Sequence, residues 1–390
     1  MEKYYTSHKK RLDTLRDRGM SIPKDKSKQR DIVKKYNYYN LINGYKTPFL
    51  EDINNYPKFA KKNEDFFIKG TTPEQLEALL VFDEKLRMIF LKRILKIEEK
   101  LKDVLVQSFY EVHTENSKKK SAVKTLHRES EYLRRNYYNL DLQSTYQINE
   151  KSGYRYTTLK YIKCDSTMRD NPKKYTYDKT KTYDKLIAKI YAEIGRQRRK
   201  SNYIASYLDN HTYLPMWVLT NILTFGQIGK LYEIQNNDIQ KLILKKLGLV
   251  EPNKDDQISI INLLKVIQIL TIYRNSCAHN ERVYCEPINI PIDDDFMGYL
   301  KKFPQANEVI NLKHQNKYLN QRKFHKLNSY RRGLYTLMFC ISLFLNKREL
   351  NLFKNEFNTE LDNLNKKLSP RAYNNVLNQM GLNFNWFDHL

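Results

Sequence analysis

Arg274, Asn275, His279, Asn280, Glu281 and Arg282 fall within one short stretch of the sequence, Arg274-Asn-Ser-Cys-Ala-His279-Asn-Glu-Arg282. An imidazole with an ordinary pKa of about 6.5 moves protons at neutral pH. A guanidinium presents a planar fork of donors to phosphate oxygens. No run of carboxylates or Cys/His pairs accompanies them to hold a metal, and no cofactor is expected. This inventory suits metal-independent RNA cleavage. The ribose 2′-OH attacks its own phosphate, His279 transfers a proton, and Arg274 stabilises the charge on the pentacoordinate phosphorus. Asn275, His279 and Arg282 stand at i, i+4 and i+7 and share one face if the helix continues, so Asn275 can hydrogen-bond the imidazole and fix its tautomer. Arg274 falls about 140° from His279 round an ideal helix. The two must therefore converge through a local distortion or across a subunit interface. The other reading of Arg-x4-His is a core-facing pair satisfied by carbonyls.

The segment that delivers these residues begins at Ile260. Apolar pairs recur every third position: Ile260/Ile261, Leu263/Leu264, Val266/Ile267, Ile269/Leu270 and Ile272/Tyr273. That spacing lags the helical turn, so the intervening polar residues spiral round the axis and the helix is buried almost all round. Thr72-Pro73-Glu74-Gln75 reads as a helix start. Leu76, Leu79, Leu80, Leu86, Phe90, Ile94, Ile97, Leu101 and Leu105 follow at helical spacing. This is one helix to about Tyr110, or two with a break near Asp83, and its apolar seam is expected to face the 260–284 helix. Further helices are expected before Gly19, from Pro215 with Trp217 as an anchor, over Arg331–Arg348, and from Ser369-Pro370. Phe225-Gly226 reads as a turn or a close backbone approach. The Tyr-rich segment 36–49 reads as an aromatic mini-core, with an RNA-stacking surface as the alternative.

The net charge of +25 points to a polyanionic partner, nucleic acid or an anionic membrane surface. The 30 Tyr tip the choice toward single-stranded or looped RNA. The longest apolar run, Leu334–Leu345, is too short to span a bilayer, and the charged start carries no secretory leader. The four Cys (164, 277, 285, 340) form no CxxC pair, which suits a reduced, cytoplasmic protein. Residues 115–200 hold 22 Lys+Arg, 10 Asp+Glu and 11 Tyr, with weak hydrophobic periodicity. Ser144–Tyr161 reads as a hairpin turning at Ser152-Gly153. This stretch is taken as a basic, partly irregular insertion (115–200) between helical parts 1–114 and 201–390. Lys118, Lys119, Lys120, Arg196, Arg198, Arg199 and Lys200, together with Arg282 and Tyr284, are its candidate RNA contacts. A solvated surface with no partner is the competing reading.

Arg274-Asn-x-x-x-His279, extended through Ala278-His279-Asn280 and Arg282, resembles the motif of HEPN ribonucleases. Tyr38-Tyr-x-Leu-Ile-x-Gly-Tyr45-x-x-Pro48-Phe49 is similar to the N-terminal signature of the Abi family of bacterial abortive-infection proteins (AbiD/AbiF type). Ile97-Glu98-x-x-Leu101-Lys102, Pro215-x-Trp217 with Thr224-Phe-Gly-Gln227, and Met380-Gly with Trp386 look like its later blocks. Nothing in 115–200 matches. The resemblance implies an all-α, HEPN-like bundle, a role in phage defence and kinship to RNA-guided ribonucleases. It also implies restraint by a partner, which for AbiF-type members is a small noncoding RNA. Glu98 is either a partner for Arg274 or an ordinary surface residue. A single imidazole, where cleavage benefits from both a base and an acid, predicts a homodimer with a composite centre, as the resemblance also implies. A non-catalytic module that holds a structured RNA is the second class of function.

Overall fold

The computed structural model describes residues 6–25, 27–57, 64–119, 131–140, 146–149, 154–157, 161–163, 179–211, 213–249, 256–288, 290, 292, 296, 333–382 and 386–390. The basic N-terminal stretch forms α1 (His8–Asp17), capped by Ser7 and ended by Gly19 at φ +89, as its sequence predicts. The helix α2 (Ser27–Lys35) leads into a π-helical turn, Tyr39–Asn43. Then comes α3 (Pro73–Lys119), a single unbroken helix of 47 residues. Its start lies where Pro73 predicts, with Gln75 Oε1 accepting the Thr72 N–H at 3.3 Å. It runs past residue 114, so the expected division there falls inside one helix.

The basic segment contains the anticipated hairpin, β1 (Tyr146–Asn149) antiparallel to β2 (Tyr154–Thr157), in register Tyr146↔Thr157. A third strand, β3 (Tyr161–Lys163), extends it to an antiparallel sheet of order β1-β2-β3. The segment is not irregular to its end, because α4 (Lys179–Arg198) buries Tyr183, Leu186 and Ile190 in the common core. The apolar spacing 183/186/190 is helical, and the surrounding Lys and Arg had masked it.

Beyond it lie α5 (Asn202–Asn210), α6 (Met216–Ile222), α7 (Phe225–Glu233), α8 (Asn237–Leu247) and α9 (Asp256–Ala278). The chain closes with α10 (Leu334–Ser342), α11 (Lys347–Asn365), α12 (Pro370–Met380) and α13 (Trp386–His389). The core is thus an all-α bundle, with the small sheet set in the basic segment. Where one helix was expected over Arg331–Arg348, the structure ends α10 at Ser342 and restarts at Lys347. A capping box between Asn346 and Glu349 makes that restart. Trp217 is no buried anchor: it is 49 % exposed and only leans on Tyr110, ring centroids 5.7 Å apart.

The apolar seam of α3 packs on α9, as predicted, and also on α8 and α11. All nine seam residues from Leu76 to Leu105 are buried. α7 lies against α9 from the other side, where a Cβ on Gly229 would meet Ile267 at 3.0 Å. The close approach foreseen at Phe225-Gly226 is therefore one turn later. Phe225 itself opens α7, through a Thr224–Gln227 capping box. From Ile260 to Leu270 nearly every residue of α9 is buried, including the polar Asn262 and Lys265. No described helix is long and apolar enough to cross a membrane.

Candidate functional site

The α9 helix brings Arg274 and Asn275 to its last turn and stops at Ala278. The stop is local. Asn280 takes the left-handed conformation (φ +59), and the Glu281 N–H closes back on the Ser276 carbonyl at 2.9 Å. This is the six-to-one bond of a Schellman cap, with Asn tolerated at the position usually held by Gly. The helix does not continue, so Arg282 leaves the face it was expected to share with Asn275 and His279. Its guanidinium instead bonds the Gly44 carbonyl. His279 is held by its backbone, N–H to the Asn275 carbonyl at 2.9 Å. The expected side-chain bond from Asn275 to the imidazole does not form, because His279 now caps the helix.

Asn275 and His279 are both exposed, and Arg274 is half-buried. Among the described residues, the side chains of all three make no hydrogen bond. Arg274 turns toward α3, where its Nε lies 3.8 Å from Glu98 Oε2. That distance gives electrostatic attraction without a hydrogen bond, and both atoms lack a hydrogen-bond partner. The other Glu98 oxygen holds Lys102 at 2.9 Å. Glu98 is thus no surface residue: it is buried beneath Arg274. Among the described residues no group of three His, Cys, Asp or Glu is placed to hold a metal ion.

Four residues downstream the pattern reverses. Asp83, fully buried in α3, accepts the backbone N–H groups of Val283 (3.1 Å) and Tyr284 (2.8 Å) on Oδ1. Its Oδ2 takes the Tyr45 hydroxyl at 2.9 Å and Arg87 Nη1 at 2.7 Å. Arg87 reaches on to the Glu281 carbonyl at 3.3 Å. Burial pushes the Asp83 carboxyl above the ordinary carboxylate range, opposed by the Arg87 charge and the two backbone donors. The point marked for a helix break is the anchor of the chain reversal after His279. The only sequence signal was an Asp and an Arg at i, i+4 inside an otherwise apolar seam.

Tyr284 is corrected with it. Its ring is buried and stacked on Tyr45 at 6.0 Å, and its hydroxyl meets Gln379 Oε1 at 3.2 Å, so no face is offered to RNA. Lys118 and Lys119 end α3, and Lys120 lies outside the described residues. Arg196 is already paired with Glu193, and Arg198 with Asp209 at 3.1 Å. Arg199 and Lys200 are exposed.

The N-terminal signature divides between its two readings. Leu41, Ile42, Tyr45 and Phe49 are core, whereas Tyr39 is 70 % exposed. It stands beside an open cavity of about 1220 Å³, walled by 34–45 on one side and 280–287 on the other.

The sequence profile of the family described as Abi-like protein matches residues 31–285, which takes in one wall of that cavity and most of the other, the Asp83 anchor and the end of α9. No curated protein and no solved structure matches the chain.

Proposed function

The chain belongs to the Abi-like family, which points to abortive-infection defence against phage, and from that premise we propose that it is a HEPN-type endoribonuclease that needs no metal ion. The substrate's 2′-OH attacks the adjacent phosphorus, the 5′-oxygen leaves, and the products carry a 2′,3′-cyclic phosphate and a 5′-hydroxyl. His279 handles the proton, Arg274 stabilises the phosphorane, and Asn275 orients one or the other. One observation carries this reading. Arg274, Asn275 and His279 occupy the last turn and the cap of the largely buried α9 with no described residue hydrogen-bonded to their side chains, whereas a structural Arg–His pair would be satisfied.

The active form is a homodimer. One imidazole serves a two-proton reaction poorly, and Arg274 faces Glu98 while His279 faces solvent. A two-fold axis at this end of α9 sets His279 of one subunit against Arg274 of the other. Exposed Ile272, one turn before Asn275, supplies an apolar rim for that contact. A structured small RNA bound to the basic surface restrains the enzyme.

The test is purified protein with total RNA in excess chelator. Fragments ending in 2′,3′-cyclic phosphate are expected, and mixing His279→Ala with Arg274→Ala subunits is expected to restore part of the activity. Cleavage that stops on chelation and returns with added metal overturns the mechanism, and a strictly monomeric active species overturns the composite centre. Tight RNA binding without any cleavage favours the second reading, a module that holds RNA, for which the charge excess speaks.

A further inference from the structure

The cavity beside the motif has features that the cleavage chemistry does not use. The two non-glycine residues at positive φ among the described residues, Asn37 (φ +58) and Asn280 (φ +59), both line it, one on each wall. Left-handed residues off glycine gather where a local arrangement must be held. Here each sets a wall. Asn37 Oδ1 accepts the Tyr39 N–H at 3.0 Å and starts the turn that carries the Tyr39 ring into solvent. Asn280 turns the chain directly after His279, and Arg282 ties the walls together through the Gly44 carbonyl.

Four lining groups have no side-chain hydrogen bond to any described residue: the Tyr39 hydroxyl, the Asn40 and Asn280 amides, and the Glu281 carboxylate. The cations do not outnumber the anions. Arg87 is neutralised by Asp83, which leaves Lys34, Lys35 and Arg282 against Glu84, Glu281 and Glu286. Such a balance does not collect phosphate. An exposed aromatic face beside amides and carboxylates is what a nucleobase meets when it is unstacked and read on its edge.

We propose that this cavity is a base-reading subsite, which takes the nucleotide next to the phosphate held at the end of α9 and prefers a base with an exocyclic amino group, guanine above all. The proposal rests on the ribonuclease reading for its neighbouring phosphate. Tyr39 is the stacking platform. Glu281 accepts the adjacent N1–H and N2–H of guanine, and the Asn40 and Asn280 amides answer its O6 and N7. Uracil fits badly, since its edge sets two carbonyls beside one N–H and turns acceptors toward the carboxylates.

Binding is measured by fluorescence anisotropy on the His279→Ala protein, which holds RNA without cutting it. The probes are short labelled uridine oligonucleotides carrying one central guanosine, adenosine or cytidine, or none. The guanosine probe is expected to bind about tenfold tighter than uridine alone. In that background Tyr39→Ala weakens all probes about tenfold, and Tyr39→Trp restores them. Glu281→Gln removes the guanosine preference and leaves uridine binding as it was. Equal affinity for all probes, or a Tyr39→Ala protein that binds as its parent does, overturns the subsite. Because the readout is binding, a wild-type protein that shows the base preference but cuts nothing overturns the ribonuclease reading and leaves the subsite standing.

Discussion

Two polar clusters flank the reversal at the end of α9, and they are built in opposite ways. Around Asp83 both carboxylate oxygens are filled twice, by Val283, Tyr284, Tyr45 and Arg87, in a site closed to water. Around His279, a few residues away in sequence, Arg274, Asn275 and the imidazole itself are left without hydrogen bonds among the described residues, and the last two face solvent. Buried polar groups are tolerable only when satisfied, because each unmet donor or acceptor costs about 1–3 kcal/mol. The first cluster therefore reads as structure. In the second, water satisfies Asn275 and His279 until a substrate arrives, and the buried Arg274 Nε is offset only by the Glu98 charge 3.8 Å away. The difference teaches which polar residues of a motif to assign to chemistry: those whose hydrogen bonds the fold has not used.

The sharpest break of that contrast is at His279 and Arg274. Either residue changed to Ala is expected to lower the RNA cleavage rate by about 10²–10⁴-fold, as measured by fragment release, while the thermal transition stays where it was. A transition lowered by many degrees would instead place both residues in the structural cluster. Asp83→Ala is expected to do the reverse. It strands the Arg87 charge and releases the 281–284 backbone, and denaturant unfolding should read a loss of about 3–5 kcal/mol. If that variant folds as stably as the parent, the anchor has been misread.

Glu98 sits between the two types, half satisfied by Lys102 and facing Arg274 without a hydrogen bond. Glu98→Gln removes the charge that holds the guanidinium in place. The cleavage rate is expected to fall about tenfold, the scale of one charge-assisted contact, with RNA affinity nearly unchanged. An equal fall in affinity would assign Glu98 to RNA binding. The smallest effect is expected at the end of α4. Arg199→Ser and Lys200→Ser should each reduce the slope of log affinity against log salt by about 0.7, the value for one single-strand phosphate contact. Arg196→Ser and Arg198→Ser should change it less, since Glu193 and Asp209 already hold those side chains. Four equal slopes would show that the existing ion pairs do not matter to the partner.

The sequence alone determined the course of several helices and some of their ends. Apolar spacing in 76–105 and 260–273, Pro73, Ser369-Pro370 and Gly19 are signals that act within a few residues, so they survive without a tertiary context. It also determined that Arg274, Asn275 and His279 fall at the end of a largely buried helix, and that a hairpin lies in 146–157. Only the tertiary structure decided which polar side chains are already taken. Nothing near Asp83 in sequence announces that Val283 and Tyr284, far along the chain, will present their N–H groups to it. Nothing near Tyr284 or Tyr39 says that one ring will be stacked in the core and the other left in solvent. Helical periodicity gives no weight to whether Arg282 will follow its face or be drawn to Gly44. Propensity and capping are encoded where they act, whereas the satisfaction of a hydrogen bond depends on two groups that only the folded chain brings within 3 Å of each other.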